Sequence, residues 1–442
     1  MRSRLLILCS LLAVLFAACA GPQGGAEDLP EDVAEEVEGT DEGGGAQVTA
    51  GCELEGKDTI QIGVLGVMSG AHADYGRQIE MGATLAAEEI NEAGGVRGCE
   101  IELEATDTEL DPDTAITNAR RLVEQWGADF IVGVDSSGVV LALAPVMEEL
   151  DRILVATHAA TEQLNEVEVY QNDNRNVFRM SVPVYQDAIV PAMIVADMPE
   201  ITRIANIGAD YEYGRTSWAM FQETLSALRD DVEFVEEAWA PFLTTDFSPH
   251  VSTVMAQEPD MIFSTPWAGE AVALIRQAHQ AGAFDEIDMW WQAMGGSIDV
   301  LEAITPDVQQ DAFNGKLWAT GRYLFNYPET DENRQWVETF QQRWDRLPNY
   351  SAQTTYAAVH ALAMAVEDTG SVATDDVAEF LAGLTFNAPA GEITIREEDH
   401  QAVYEVPAGR VVYDEQLATA CVCADLQVFE AEEYYRSPPF ED

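Results

Sequence analysis

The stretch IQIGVLGVMSGAHADYGRQIEMGATLAAEEINEAGGVRGC, residues 60–99, decides the fold class. Residues 60–65 are a short apolar run with β-branched members, bounded by glycine, which is the pattern of a buried strand. Residues 69–76 are polar and punctuated by glycine, and a loop is expected there. From 78 to 93, Ile79, Gly82, Leu85, Ala86 and Ile90 fall at helical spacing, with acids on the other face, and Gly94 and Gly95 end the helix. Such a unit sets its loop at the carboxyl end of a strand, where open α/β sheets bind ligands.

The same rhythm continues outward. Strands are expected over 101–105, 129–134 and 153–156, with helices opening at Asp111-Pro112 and at Ser136-Ser137, the latter running to Leu150. A second series begins with a helix over 185–198, a strand over 203–207 and a loop over 210–214 that leads into a helix. It goes on through strands at 232–236, 260–264, 288–292 and 316–320, with helices over 246–257 and 269–281. Helices are then expected over 329–344, 353–367 and 374–384, and short strands and turns over 391–429. Alternating strands and helices imply parallel pairing with right-handed crossovers, hence two α/β lobes with linkers between them. A length of 442 residues agrees with two or three domains at about 100–200 residues each.

The formal charge is −57, and only two of the basic residues are lysines, Lys57 and Lys316. Such a surface repels nucleic acids and anionic membranes. It suits concentrated salt, where a Debye length of about 3 Å at 1 M makes self-repulsion tolerable.

The N-terminus reads as a targeting segment. Arg2 and Arg4 precede an apolar run over 5–16 that is too short for a span of about 20 residues. Small residues directly before Cys19 resemble a bacterial lipoprotein signal, in which Cys19 is lipidated and becomes the first residue of the mature chain. Residues 21–51 are rich in Gly, Ala, Asp and Glu, a composition that stays extended as a tether. Four further cysteines remain, Cys52, Cys99, Cys421 and Cys423, which allow three pairings and fit an oxidising compartment. Cys52 and Cys99 each precede one of two strands expected to be neighbours and parallel, so a Cys52–Cys99 bridge is expected. Cys421 and Cys423 then pair locally or stay reduced, and a C-x-C metal site is the rival reading.

Signs of catalysis are weak. The six histidines are scattered, no H-E-x-x-H occurs, and Gly66-Val-Met-Ser-Gly70 lacks the spacing of a nucleophile elbow. His158 reads as a loop residue, and His400 as a structural residue in a turn.

Taken together, the segments 62–66, 69–70 and 75–76, the run from Gly82 through 88–95, Asp107, Pro112 and 119–122 resemble a known family. So do the segments 210–214, 274–278 with Gly282, 355–359 and 396–401. Over about residues 58–430 the chain resembles type I periplasmic solute-binding proteins of the branched-chain amino-acid (Leu/Ile/Val) class of ABC transporters. The resemblance implies two doubly wound parallel-sheet lobes joined by a three-strand hinge. Lobe 1 would hold 58–180 and 321–387, and lobe 2 would hold 181–320 and 388–442, after a signal over 1–18 and a lipidated tether over 19–57. It also implies a monomer with no cofactor or metal and no enzymatic activity, anchored outside the cytoplasm through Cys19, that delivers a small solute to an ABC permease.

By the same resemblance Tyr75 is the aromatic beside the ligand. Ser136 and Ser137 belong to the loop whose hydroxyl and helix-start amides take the ligand carboxylate. Ala159, through its backbone, and Thr161 form the next carboxylate-binding loop, and Tyr213 and Trp267 pack on the ligand from the second lobe. The family's amino-acid binders carry a glutamate for the ligand ammonium where this chain has Met294. The solute is therefore an amino acid held differently, or an aromatic carboxylate, urea or a short amide; a ligand-sensing receptor subunit is the rival role. Trp290 and Trp291 are adjacent on a strand, so at most one of them can face such a pocket. If the acid-rich surface is adapted to salt, the melting temperature should rise steadily between dilute buffer and about 1 M salt; calorimetry showing no less stability in dilute buffer would reject the adaptation.

Overall fold

The computed structural model describes residues 51–440. The expected signal segment, Cys19 and the tether through residue 50 lie outside the described residues. Among the described residues, no helix is long and apolar enough to cross a membrane.

The first sheet is wholly parallel. It contains β1 (Thr59–Gly66), β2 (Glu100–Asp107), β3 (Phe130–Gly133), β4 (Ile153–Ala156) and β5 (Val177–Arg179), in the order β2-β1-β3-β4-β5. The central strands β3 and β4 are buried at every residue, as a sheet covered on both faces requires. The next strands are β6 (Arg203–Ala209), β7 (Glu233–Ala240), β8 (Met261–Ser264), β9 (Met289–Gln292) and β10 (Leu317–Thr320). After three helices come β11 (Thr385–Ala388), β12 (Gly391–Ile395) and β13 (Ala402–Val403), a small antiparallel sheet, and then β14 (Val406–Asp414) and β15 (Thr419–Phe429). The last two join the second sheet, whose order is β15-β14-β10-β9-β8-β6-β7. In it β6 to β10 are parallel, and β14 and β15 are an antiparallel addition at one edge.

Two lobes follow from this arrangement, as the alternating pattern implies. The chain crosses from the first to the second after β5, returns after β10 and crosses again between β13 and β14. At the crossings Arg179 bridges to Gln401. The third sheet moves one expected boundary. Residues 388–403, expected in lobe 2, are tied to the first lobe: Arg179 N donates to the His400 carbonyl, and Asn165 Nδ2 donates to that of Asp399. His400 stacks flat on Phe178 and sits within hydrogen-bond distance of the Val177 carbonyl through Nδ1, which gives it a packing role.

The opening helix starts earlier than its apolar spacing indicates, at Ala73, so Tyr75 and Gly76 lie in its first turn and the loop ends near residue 72. Gly76 permits this: a Cβ there would lie 2.1 Å from the Val67 carbonyl oxygen, so only glycine lets the helix start seat on the end of β1. The same helix, Ala73–Glu92, packs on Tyr350–Thr369, and Gly82 is the point of closest approach, where a Cβ would lie 2.1 Å from the Ala352 carbonyl oxygen. The helix expected over 353–367 begins at Tyr350, because the Asn349 side chain caps it by accepting from Ala352 N. Among the elements that escaped the reading of the sequence are β5, β11, the helical stretch Leu164–Gln171 and the helix Ile298–Gln309, which follows Gly295, Gly296 and an N-cap Ser297.

Cys52 is bonded to Cys99 and Cys421 to Cys423. The first bond spans 47 residues of sequence. Replacing both Cys52 and Cys99 by serine should lower unfolding free energy by about 4 kcal/mol through restored loop entropy, read from denaturant titration; an unchanged midpoint would deny the bond a stabilising role. Gly82→Ala should cost ~1–3 kcal/mol by forcing two helices apart, and a wild-type melting curve would refute the close packing described.

Candidate functional site

The carboxyl ends of both sheets' strands face a common cleft, and the loops and helix starts beyond them carry the candidate residues. After β1 come His72 and Tyr75, after β3 Asp135 and Ser137, and after β4 His158 and Ala159. The second sheet contributes Tyr211 and Tyr213 after β6, Trp267 after β8, Met294 after β9 and Arg322 after β10. A narrow cavity of about 10 Å³ is lined by Asp135, Ser137, His158, Ala159, Ala160, Tyr211, Tyr213, Trp267, Met294 and Arg322. That is about the room one water needs and far below the ~300 Å³ lower end of ordinary small-molecule pockets, so a solute needs the two walls to move apart.

Aromatic rings close the cleft. Tyr75 meets His158 edge to face at 4.8 Å and Trp267 at 5.1 Å, and His72 packs on Trp267 at 4.1 Å. His158, Trp267 and Tyr350 complete the cluster, so rings of the first lobe pack directly against Trp267 of the second. Such pairs contribute about 0.5–1.5 kcal/mol each beyond their area burial. Their polar ends are mostly occupied: Trp267 Nε1 donates to the Tyr211 hydroxyl (3.0 Å), and the Tyr213 hydroxyl donates to Asp187 (3.0 Å). The Tyr75 hydroxyl donates across the cleft to Ser297 Oγ (3.2 Å), and the Tyr350 hydroxyl lies 2.9 Å from His158 Nδ1.

Arg322 is the charged centre and is 1% exposed. Its guanidinium donates 2.8 Å to Asp187 and 2.7 Å to the His158 carbonyl, so one side chain ties the helix Tyr185–Ala196 to the β4 loop. Burial works against its charge, but Asp187 beside it holds the proton on well above the ordinary arginine range. Arg322 Nε has no hydrogen-bond partner among the described residues. Burial, with the charge of Arg322 nearby, pushes His158 well below the ordinary imidazole range, so His158 is neutral at pH 7. Asp135 is buried and pushed up to about 7 by desolvation, against hydrogen bonds from Val67 N and Thr108 Oγ1.

Of the residues implied by resemblance, Ser137, Ala159, Tyr213, Trp267 and Met294 line the cavity, and Tyr75 stands behind it in the aromatic cluster. Ser136 and Thr161 do not line it. Ser136 is the N-cap of the helix Ser137–Leu150 without a side-chain capping bond, and Thr161 turns its hydroxyl to Gln163 N and its carbonyl to Arg179. Neither Trp290 nor Trp291 reaches the cavity; both are buried in the second lobe, with Trp290 on Phe284 and bonded to Ser264. The sequence reading missed Asp135, Ala160, Tyr211 and Arg322 and took His158 for a plain loop residue. His158 is a wall residue because the β4 loop turns it inward, under Tyr350 of a helix almost 200 residues away, a contact that no local pattern announces. Arg322 follows Gly321 at the expected end of a strand, and its isolation in a lysine-poor chain was the available signal.

With this geometry in hand, comparison with known proteins identifies the group. The periplasmic binding protein family model matches residues 59–416. The chain belongs to that family. It is 26% identical over 341 residues to the leucine-, isoleucine-, valine-, threonine- and alanine-binding protein of Pseudomonas aeruginosa, covering 77% of this chain and 87% of that one. It is 24% identical to the Leu/Ile/Val-binding protein of Escherichia coli, again covering 77% of this chain and 88% of that one. The fold matches a solute-binding protein of an ABC transporter from Rhodopseudomonas palustris BisB5, solved with 3,4-dihydroxybenzoic acid (TM-score 0.75, 23% identity, covering 85% of this chain and 98% of that one). It also matches the branched-chain amino-acid transporter substrate-binding protein of Streptococcus pneumoniae with isoleucine (TM-score 0.71, 20% identity, covering 84% and 99%). The two-lobed α/β architecture and the extracytoplasmic solute-binding role of the family follow for this protein.

Because Arg322 and Asp187 are both buried, removing one charge should cost more than removing both. Arg322→Met should lose ~3–5 kcal/mol of stability, and Arg322→Met with Asp187→Leu should recover part of that loss in urea titrations. A double variant less stable than the single one would show that the ion pair does not hold these segments together.

Proposed function

We propose that the protein is a lipid-anchored solute receptor of an ABC importer, captures one small carboxylate-bearing solute between its lobes, and releases it unchanged to the permease. The observation that supports this best is the cavity itself. It is lined by residues of both lobes, and its wall includes Ser137 at a helix N-terminus together with Arg322, whose Nε has no partner among the described residues, both suited to a carboxylate. The lobes would close around the solute by bending at the three crossings, and the solute's contacts with both lobes would shift the population toward the closed form. The relatives are named as binding proteins, which agrees with capture rather than conversion. Lipidation at Cys19 would hold the monomer at the outer face of the cell membrane.

Two solute classes fit a carboxylate site, and the relatives' names supply both. An amino acid is the first reading, as in the names of the Pseudomonas and Escherichia proteins. An aromatic carboxylate is the second, favoured by the ring-lined wall and by Met294 in place of an acid.

The protein, stripped of co-purified solute by unfolding and refolding, should bind at least one small carboxylate in calorimetric titration and should not bind urea or acetamide. Ser137→Ala should weaken that binding by about 0.5–1.5 kcal/mol, the loss of one hydrogen bond, while leaving the melting temperature in place. Binding of neutral amides alone would overturn the carboxylate reading. Cys19→Ser should move the protein from the membrane to the soluble fraction, and retention in the membrane would remove the lipid anchor.

A further inference from the structure

His72 and Glu270 meet across the cleft, and neither lines the cavity. His72 follows β1 in the first lobe, and Glu270 lies in the first turn of the helix Gly269–Gln280, after β8 in the second. The imidazole packs on rings of the second lobe, with centroids 4.1 Å from Trp267 and 5.5 Å from Phe242. His72 is 1% exposed and Glu270 6%, so both are out of water while the lobes touch. His72 Nε2 stands 4.0 Å from Glu270 Oε2. Neither that nitrogen nor either carboxylate oxygen has a hydrogen-bond partner among the described residues, although the backbone N–H groups of Leu243 and Thr244 approach the carboxylate.

Such a pair needs one proton. With it, the two groups are both neutral or form an ion pair, and in both cases the pocket carries no net charge. Without it, a bare carboxylate is buried beside a neutral imidazole, an unfavourable arrangement because no cation offsets it. The neighbouring groups supply no such cation. His158, which also packs on Trp267, is held neutral by burial, and burial keeps the proton on Tyr211. Glu212, beside Tyr211, is a further acid. Arg346 is engaged by Asp74, two residues beyond His72, and Arg322 by Asp187.

The two groups respond to pH with opposite signs. Burial raises Glu270 from 4.5 to about 7 and lowers His72 from 6.5 to about 4. The raised acid favours contact at low pH, and that advantage is lost as pH rises through 7; the lowered imidazole opposes contact below 6.5. Between 4.5 and 6.5 these effects cancel, because the proton His72 gives up on closing is matched by the one Glu270 takes. Above 6.5 the open form has a neutral His72 and an ionised Glu270, so closing must draw a proton from solvent.

We propose that His72 and Glu270 form a proton-dependent latch between the lobes: the empty cleft holds shut while the pair shares one proton and opens more readily once that proton is lost. This rests on the hinge closure proposed above and adds its regulation, with no particular solute required. Because the cavity between the touching lobes has room for about one water, the latch sets how readily the cleft admits any solute.

The test reads the open and closed populations of the refolded, solute-free full chain from spin-label distances across the cleft, at pH 6 and pH 8 in constant salt. The closed-to-open ratio of the unaltered protein should be about two- to threefold higher at pH 6 than at pH 8. Glu270→Gln leaves only the imidazole and should invert the dependence, to about fourfold lower at pH 6. His72→Gln leaves only the acid and should steepen it, to about tenfold higher at pH 6. Other buried acids add the same slope to all three chains, so the differences between chains are the readout, and one variant suffices if the other does not fold. Equal pH responses in the variants and the unaltered protein overturn the latch. Distances that ignore pH but shift on adding leucine or 4-hydroxybenzoate also overturn it and leave hinge closure standing. Distances that neither pH nor either solute moves overturn both.

Discussion

The structure depends on a buried charge. Arg322 lies where the chain returns from the second lobe to the first, and its guanidinium is shared between a carbonyl of the β4 loop and the carboxylate of Asp187 on a helix of the second lobe. A guanidinium removed from water needs a partner for its charge, and Arg322 bonds to both the His158 carbonyl and Asp187, so its position constrains both segments at once. Asp187 in turn fixes the Tyr213 hydroxyl, and the ring of Tyr213 becomes part of the cavity wall. The shape of the binding space therefore follows from one ion pair near a crossing point, with the aromatic cluster packed outward from it.

Local pattern carried the architecture a long way. Short apolar runs such as 60–65 and 129–134, each followed by a helix, imply parallel strands and crossovers, and the first sheet has that form. The edges were less legible for reasons that lie in tertiary contact. The first turn of the helix Ala73–Glu92 looks like loop in isolation, because Gly76 and the polar residues before it carry no helical period; it becomes helix only because the end of β1 packs against it. The small sheet over 385–403 reads as a tail of uncertain attachment until the backbone of Arg179 meets His400.

The cavity shows the same division. Positions that resemblance could place one by one, such as Ser137, Tyr213 and Trp267, lie just beyond strand ends, in a loop or the first turn of the next helix, whose locations a strand count predicts. His158 and Arg322 owe their roles to partners far away in sequence, Tyr350 and Asp187, and a lone histidine or arginine offers no periodicity to betray that. Thr161 illustrates the converse: it lies two residues beyond Ala159, which lines the cavity, yet its hydroxyl and its carbonyl are both turned to other partners. Spacing along a loop gives proximity to a site, and only the hydrogen-bond partners decide which way a side chain faces.

The bond between Cys52 and Cys99 also has a mechanical side. It joins the chain just ahead of β1 to the chain just ahead of β2, and everything between them, including β1 and the helix Ala73–Glu92 with Tyr75 on it, forms a covalently closed loop. For tension arriving along the backbone from the N-terminal side, the two sulfur atoms offer a covalent route into β2 that bypasses the closed loop with His72 and Tyr75 on it.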